Sequence, residues 1–397
     1  MPFVYDPEDE LTQRDPYPSY RRLRDEHPVY RQERLRFWAL SRFEDVFAAL
    51  RDHDIFCSSQ GLTWDPRSAE QAGILPMMVT TDPPAHTKLR KLINRGFTPK
   101  RVADLEPEVR ALVVDAIERL QRAGQGDLIT DLGAPLPTAI IGRFLGVPHA
   151  DRMQFHEWAT AVVSATSGAE FHADAMHAAV GLYGYFRDLT QRRRREPSDD
   201  LIGTLIASEV DGASLTDEDV LGFCFNIITG GVETTTSLVA NAMVLMQAEP
   251  EVRRRLAAEP ACIPAAIEEL LRLESPVQGL CRTTTQPVTR HGITIPAGEK
   301  VLLLFAAANR DEREFPDPDR LDIDRTTERH LAFGYGAHYC IGAALARLMG
   351  RVALEELTTR LGAYRIDESR GRRIRAGVVR GYRSLPIAVG RTSDVGS

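Results

Sequence analysis

The sequence predicts a mainly α protein with a smaller β region, and three observations carry that assignment. Apolar residues recur at three- and four-residue spacing through 103–123, 172–195, 216–248, 262–273 and 342–361, the period of an amphipathic helix. Short β-type runs punctuated by Gly and Pro lie around 28–40, 286–304 and 372–391, as in ITIPAGEKVLLLFAA. One helical pattern, from Thr216 to Ala248, would extend roughly 50 Å at 1.5 Å per residue, enough to cross the whole molecule. The chain has 397 residues, a length at which one large domain or two ordinary ones both fit. It shows no fixed-period repeat, low-complexity linker or composition break, so 1–397 reads as one domain. RRRREPSDD at 192–200 marks a surface turn between helices.

Composition narrows the class. With 43% hydrophobic and 26% charged residues the sequence is that of a globular protein, and disordered, collagenous and disulfide-dense chains are excluded. The formal charge of −7 gives no global attraction to nucleic acid or anionic membrane. Thr234–Ala248 carries no charge but contains three threonines, a serine, an asparagine and a glutamine, so no membrane anchor is expected. The N-terminus, MPFVYDPEDE, is acidic and lacks the regions of a secretion signal, which points to a cytoplasmic protein. The five cysteines (Cys57, Cys224, Cys262, Cys281, Cys340) form no C-x-x-C pair and are expected to be mostly free thiols in a reducing cytosol.

The long helix carries the first functional signal. Thr216 can cap it with Asp219 three residues on, and Glu249-Pro250 ends it. Inside stands Gly230-Gly231-Val232-Glu233-Thr234-Thr235, where each glycine costs about 1 kcal/mol relative to alanine. Two readings fit this weak point: close packing of another helix, or a local opening where a ligand approaches the backbone beside an acid and an alcohol.

The second signal is LAFGYGAHYCIG at 331–342, followed by the helical AALARLMGRVALEEL. Phe333, Gly334, Gly336, His338, Cys340 and Gly342 give F-G-x-G-x-H-x-C-x-G. A lone cysteine is ordinarily a buried apolar side chain. Here three glycines at a helix start leave room for a flat ligand and aim backbone N–H groups at the sulfur, which favours a thiolate.

This segment resembles the haem-binding loop of the cytochrome P450 family, the haem-thiolate monooxygenases, and the resemblance extends over nearly the whole chain. AIEELLRLESP carries Glu269 and Arg272 in the family's E-x-x-R pattern, and FPDPDRLD supplies Arg320 as the expected third member of that ion network. GGVETT resembles the oxygen-activating helix, with Glu233 and Thr234 at the acid and alcohol positions. TDPPAHTKLRKL resembles the helix whose His86 and Arg90 reach the haem propionates, with Asp82 as its cap and Pro83 in its first turn. Spacing alone would equally fit a solvated face. Arg282, in LCRTTT, resembles the arginine that reaches the propionates from the strand side, and its role rests wholly on the resemblance, whereas His338 is either a propionate contact or a satisfied loop histidine.

The resemblance implies a cytochrome P450 fold with the long central helix over haem b (iron protoporphyrin IX), bound to iron by Cys340. It further implies insertion of one oxygen atom of dioxygen into a lipophilic small molecule, by hydroxylation or epoxidation. Thr234 would hydrogen-bond oxygen or water in the glycine groove and Glu233 would relay protons, while Thr235 or Thr236 bonds back to its own helix. The pocket is expected from 60–80 (Trp64, Met77, Met78), helix faces within 155–185, Ile227–Thr234, Val277–Leu280 and the turn near Val379. No fused reductase is expected, so electrons would come from NAD(P)H through a separate ferredoxin or flavodoxin and its reductase. The basic cluster Lys88, Arg90, Lys91, Arg95, Lys100 and Arg101, joined by Arg347 and Arg351, is the expected docking face. A peroxide-driven peroxygenase and a non-catalytic haem-thiolate sensor are the competing readings, and the acid-alcohol pair counts against both.

Overall fold

The structure is a computed structural model that describes residues 3–70, 77–166, 173–210, 212–327, 329–375 and 377–390. Its longer helices are α1 (Tyr17–Glu26), α2 (Phe43–Arg51), α3 (Ala85–Asn94), α4 (Glu106–Ala123), α5 (Pro135–Leu145), α6 (Arg152–Thr166), α7 (Ala173–Arg195), α8 (Asp217–Ala248), α9 (Pro250–Ala258), α10 (Ile263–Leu273) and α11 (Ala343–Arg360). The strands that matter here are β1 (Val29–Gln32), β2 (Phe37–Leu40), β3 (Phe56–Cys57), β4 (Gln125–Asp127), β5 (Leu280–Thr284), β6 (Lys300–Leu303), β7 (Tyr364–Ile366) and β8 (Pro386–Val389). The expected helical and β segments are thus present, with ends shifted by a few residues. Of the expected runs and pocket segments, 71–76, 167–172, 376 and 391 lie outside the described residues.

Helix α8 begins as expected. Thr216 and Asp219 form a reciprocal capping box, each side chain taking the other's backbone N–H, and the helix then runs unbroken for 32 residues. The glycine pair therefore does not interrupt it. Its residues Val220 to Cys224, Ile228, Val232 and Leu238 to Met243 are buried in the largest apolar cluster, so α8 is the spine of the helical body. Helices α5, α6, α7 and α11 pack around it. Helix α5 approaches closely at Gly231, where a Cβ would stand 2.8 Å from Ile141 Cδ1.

Beside this body lies a five-stranded sheet in the order β1-β2-β6-β5-β3, in which β2 and β6 run parallel and the other pairs antiparallel. Strand β5 sits between β6 and β3, with Arg282 opposite Val301 and Thr283 opposite Cys57. A smaller sheet, β7-β8-β4, ties the end of the chain to the start of the helical body. Separate apolar clusters fill the two faces of the larger sheet, one with Phe43 and Phe56, the other with Tyr5, Phe37 and Leu302. A cavity of about 250 Å³ opens between α8, α3, α11 and β5. Among the described residues no helix is long and apolar enough to cross a membrane.

Candidate active site

The floor of the cavity is the cysteine loop. Gly334 and Gly336 both have left-handed backbone angles, φ 66° and 71°. At Gly336 a Cβ would also stand only 2.6 Å from the Leu50 carbonyl oxygen of α2, so both the turn and the contact demand glycine. The Cys340 N–H donates to Phe333 O at 2.9 Å, which folds the loop back on itself. The sulfur then lies at the N-terminus of α11, with the backbone N–H groups of Gly342 and Ala343 directed at it. Burial raises the thiol pKa, while those N–H groups and the charges of Arg90 and Arg347 pull it down. A metal cation on the sulfur would tip that balance to thiolate. Phe333 and Gly334 line the same space, and the Arg347 guanidinium lies 4.5 Å from the centre of the Phe333 ring.

Four nitrogen-bearing side chains converge at one edge of the cavity. His86 is 1% exposed, and neither ring nitrogen has a hydrogen-bond partner. Its ring lies tilted by 46° against that of His338, the centres 4.3 Å apart, and His338 Nε2 meets Ser58 Oγ at 3.2 Å. Arg90 forms no ion pair among the described residues, and burial lowers its pKa. Arg282 is 3% exposed, and its one hydrogen bond goes to the Cys281 carbonyl. Burial and the charge of Arg282 push His338 down to about 3, so this imidazole is neutral as it stands. Asp82 is the one carboxylate that acts on His86, Arg282 and His338, and it is already engaged by the N–H groups of Ser58 and Ser59. One buried and one half-buried guanidinium with two imidazoles therefore leave an excess of positive charge suited to an anionic ligand. The propionates of haem match that requirement, so the residues present fit the group that the sequence implies.

Helix α8 forms the opposite wall. Gly230 is open to the cavity, with only Asn226 Nδ2 within 4 Å of where a Cβ would stand, whereas Gly231 packs on Ile141. The close-packing reading therefore holds for Gly231, while Gly230 borders the cavity without the helix opening. Thr234 also faces the cavity, and its hydroxyl donates to Gly230 O at 2.7 Å. This is the back-bond expected of its neighbours, and Thr236 makes one too, to Val232 O, while also reaching Gly133 O. Glu233 is half-buried beside Thr234 but does not line the cavity.

The remaining lining is mostly apolar, with Met78, Ile227, Val277, Leu280 and Phe97 among it, and Asn226, Thr235 and Tyr339 as its polar members. Three pocket expectations fail. Trp64 stacks on Phe37 of β2 at 5.3 Å and donates to Glu8, so it belongs to the sheet core. Val379 bridges to Val277 but lines a small crevice near the N-terminus. No side chain of 155–162 or 176–185 lines the cavity, and the side chains of 163–175 lie outside those described.

Three further assignments are corrected. The third arginine of the ion network is Arg325, whose Nε donates to Glu269 Oε1 at 3.2 Å, while Arg272 pairs bidentately with Glu269 at 2.7 and 2.8 Å. Arg320 contributes only its carbonyl, to Arg272, and its side chain is exposed. Asp82 does not cap α3: Pro84 occupies the cap position, and the Asp82 carboxylate accepts the N–H groups of Ser58 and Ser59 at 2.7 and 3.0 Å. Arg347 and Arg351 are engaged in ion pairs, the first with Glu268, the second with Glu106 and Glu355, so they add little free charge to a docking face. Asn226, Ser58 and Arg325 carry no signal in the sequence: Ser58 and Arg325 stand in no motif or periodic pattern, and Asn226 lies in the helical pattern of 216–248 but before the GGVETT motif.

A cysteine sulfur at a helix N-terminus, an apolar cavity above it and unpaired cations at its edge describe the class of haem-thiolate enzymes, and comparison with known proteins agrees. The family model Cytochrome P450 matches residues 169–361. Cytochrome P450 130 of Mycobacterium tuberculosis is 45% identical over 366 residues, 90% of each chain. Vitamin D(3) 25-hydroxylase of Pseudonocardia autotrophica is 39% identical over 393 residues, 96% of this chain and 95% of its own. The solved structure of cytochrome P450 CYP109Q5 from Chondromyces apiculatus superposes with a TM-score of 0.89 at 36% identity, covering 98% of this chain and 99% of that one. The chain belongs to the cytochrome P450 family, whose members are haem-thiolate monooxygenases with a haem iron cofactor.

Proposed function

We propose that the protein is a single-domain monooxygenase that hydroxylates or epoxidises a lipophilic small molecule, with Cys340 as the axial ligand of haem b and electrons delivered from NAD(P)H by a separate ferredoxin or flavodoxin and its reductase. The observation that carries this reading is the convergence on one largely apolar cavity of Cys340 and four nitrogen-bearing side chains, His86, Arg90, Arg282 and His338, none of which forms an ion pair among the described residues. Haem bound through a thiolate supplies reductive activation of dioxygen and transfer of one of its atoms, with thiolate donation favouring O–O cleavage.

The chain's own residues do the rest. His86, Arg90, Arg282 and His338 hold the two propionates, and Phe333, Gly334 and Gly342 shape the space around the sulfur. Thr234 Oγ, once released from Gly230 O, presents its hydroxyl proton to the open face beside Gly230. Glu233 exchanges that proton with solvent. The aliphatic, methionine and phenylalanine lining excludes water and selects a lipophilic substrate, as the name of the vitamin D(3) hydroxylase relative also suggests. For electron entry, Lys88, Lys91 and Arg95 of and beside α3 are exposed and have no carboxylate partner among the described residues, a surface suited to an acidic ferredoxin.

The test is Cys340→Ser. The reduced, carbon monoxide-bound protein should show the thiolate-type difference spectrum in the wild type and lose it in the variant. Cys224→Ser and Cys262→Ser should retain it, and retention by Cys340→Ser would overturn the ligand assignment. A screen of lipophilic compounds for the low-spin to high-spin shift of ferric haem then narrows the substrate.

A further inference from the structure

The wall of α8 holds polar side chains that the reading above does not use, and Asn226 is the one set farthest from Thr234. Asn226 stands one turn before Gly230 and lines the cavity. Its Oδ1 accepts the Val79 backbone N–H at 3.3 Å. That bond fixes which end of the amide is which, because a backbone N–H requires an acceptor. The Nδ2 group is therefore turned the other way, 3.8 Å from where a Gly230 Cβ would stand, and it has no hydrogen-bond acceptor among the described residues. Nearby hydroxyls are already bonded to backbone carbonyls: Thr229 to Phe225, Thr234 to Gly230, Thr80 and Thr81 to Met77. Besides Val79, which bonds Asn226, the apolar residues that line the same cavity include Met78, Phe97 and Ile227.

We infer that Asn226 is a specificity-determining residue whose Nδ2 donates to a neutral carbonyl of the substrate, so that the preferred substrates are elongated apolar ketones, esters or lactones. This rests on the haem-thiolate reading of the cavity and deepens it. Three observations choose the chemistry. An amide –NH2 offers donors only, so its partner is an acceptor. The two arginines that line the cavity, Arg90 and Arg282, stand at its edge with His86 and His338, and no other cationic side chain among the described residues lines it, so a carboxylate would lack a counter-charge beside Asn226. The surroundings are apolar, so a ligand without an acceptor leaves the donor unpaired, and a site of that kind discriminates strongly. Asn226 and Thr234 are eight residues apart, about 12 Å of helix. The carbonyl therefore lies one to two helical turns from the carbon that is oxidised near Gly230 and Thr234.

The experiment uses haem-loaded protein and matched probes that differ only in the oxygen: cyclododecanone with cyclododecane, cyclopentadecanone with cyclopentadecane, methyl undecyl ketone with tridecane, and androstanone with androstane. Dissociation constants are read from the ferric spin shift for the wild type, Asn226→Leu and Asn226→Ala. The wild type should prefer the ketone about tenfold in at least one pair, and both variants should bring that ratio close to one, chiefly by weakening the ketone. Each variant also loses the bond to Val79, but that change is common to both members of a pair and cancels in the ratio. The inference is overturned if no pair shows a ketone preference above threefold in the wild type, or if either variant keeps the wild-type ratio. Such a result with a normal thiolate-type carbon monoxide spectrum leaves the haem-thiolate reading standing. Absence of that spectrum in the wild type overturns the haem-thiolate reading itself.

Discussion

Replacing Arg325 by leucine tests the corrected ion network. The Glu269 carboxylate is 1% exposed and accepts four hydrogen bonds: two from Arg272, one from the Asp322 N–H at 3.0 Å and one from Arg325. Arg325 also donates to Pro316 O at 2.6 Å and Asp317 O at 3.1 Å, stapling the irregular segment before the cysteine loop to α10. Its loss removes three bonds yet leaves Glu269 neutralised by Arg272. The expected cost is about 2 kcal/mol, below the ~3–5 kcal/mol of stranding a buried charge, which is the expectation for Arg272→Leu. With an unfolding entropy of about 2.1 cal/mol/K per residue, 397 residues give roughly 0.8 kcal/mol/K. Thermal scans of the haem-loaded proteins at one fixed rate should then show Arg325→Leu melting about 2–3 °C lower and Arg272→Leu about 4–6 °C lower. Arg320→Leu, an exposed side chain with no partner among the described residues, should stay within about 1 °C of wild type. If Arg320→Leu costs as much as Arg325→Leu, the assignment of the network is wrong.

Thr234→Ala should leave ligand-induced spin shifts intact while diverting reductant to peroxide or water, since its hydroxyl acts after oxygen binds; wild-type product per NADH would rule out its proton role. Glu268→Gln should lower stability near neutral pH by about 1–2 kcal/mol. Burial raises the Glu268 pKa, but hydrogen bonds from Arg347 and His330 outweigh it and bring the carboxyl from 4.5 to about 2. The full linkage of about 3 kcal/mol is reduced because the two side chains are 28% and 36% exposed. A depressed carboxyl stabilises above pH 4.5 and loses that contribution as pH falls toward 2, so the variant's acid limb should be flatter there; parallel limbs would refute the pairing. Lys91→Glu and Arg95→Glu should slow reduction by an acidic ferredoxin without altering spin shifts. The difference should shrink as salt shortens the Debye length from about 10 Å at 0.1 M to about 3 Å at 1 M, and equal rates at low salt would remove this face from docking.

Much of the fold was legible because it follows from local rules. The capping box at Thr216 and Asp219, the helix period of 216–248 and the stop at Glu249-Pro250 each involve residues within a few positions of one another. The cysteine loop was legible for the same reason. What escaped depends on segments distant in sequence. An aspartate before two prolines reads as a helix cap, but the carboxylate of Asp82 serves Ser58 and Ser59, 24 and 23 residues upstream. Arg320 and Arg325 lie five apart on an irregular segment, where no period says which one turns inward. Trp64 is large and apolar enough for any core, and only the sheet decides that its core is the one with Phe37.

The arginines divide by partner, and the division locates the site. Arg110, Arg272, Arg310, Arg347, Arg351 and Arg380 all meet carboxylates, within α10 for Arg272 and Glu269 and between separate segments of the fold for the others. Arg282 is buried like Arg272 yet its guanidinium makes no ion pair among the described residues, donating to a backbone carbonyl with Asp82 acting on it only from a distance, and the half-buried Arg90 makes no ion pair there either. Folding does not repay the desolvation of such charges within the chain, so the compensating anion comes from outside it. The same logic applies on the opposite wall in neutral form: Asn226 gives its oxygen to the fold through Val79 and leaves its nitrogen to the cavity. Two ligands are thus specified by what the chain leaves unpaired, an anion at the edge near β5 and an acceptor-bearing apolar molecule along α8. Both requirements converge on the space above Cys340, where a cofactor and a substrate must meet for oxygen to pass between them.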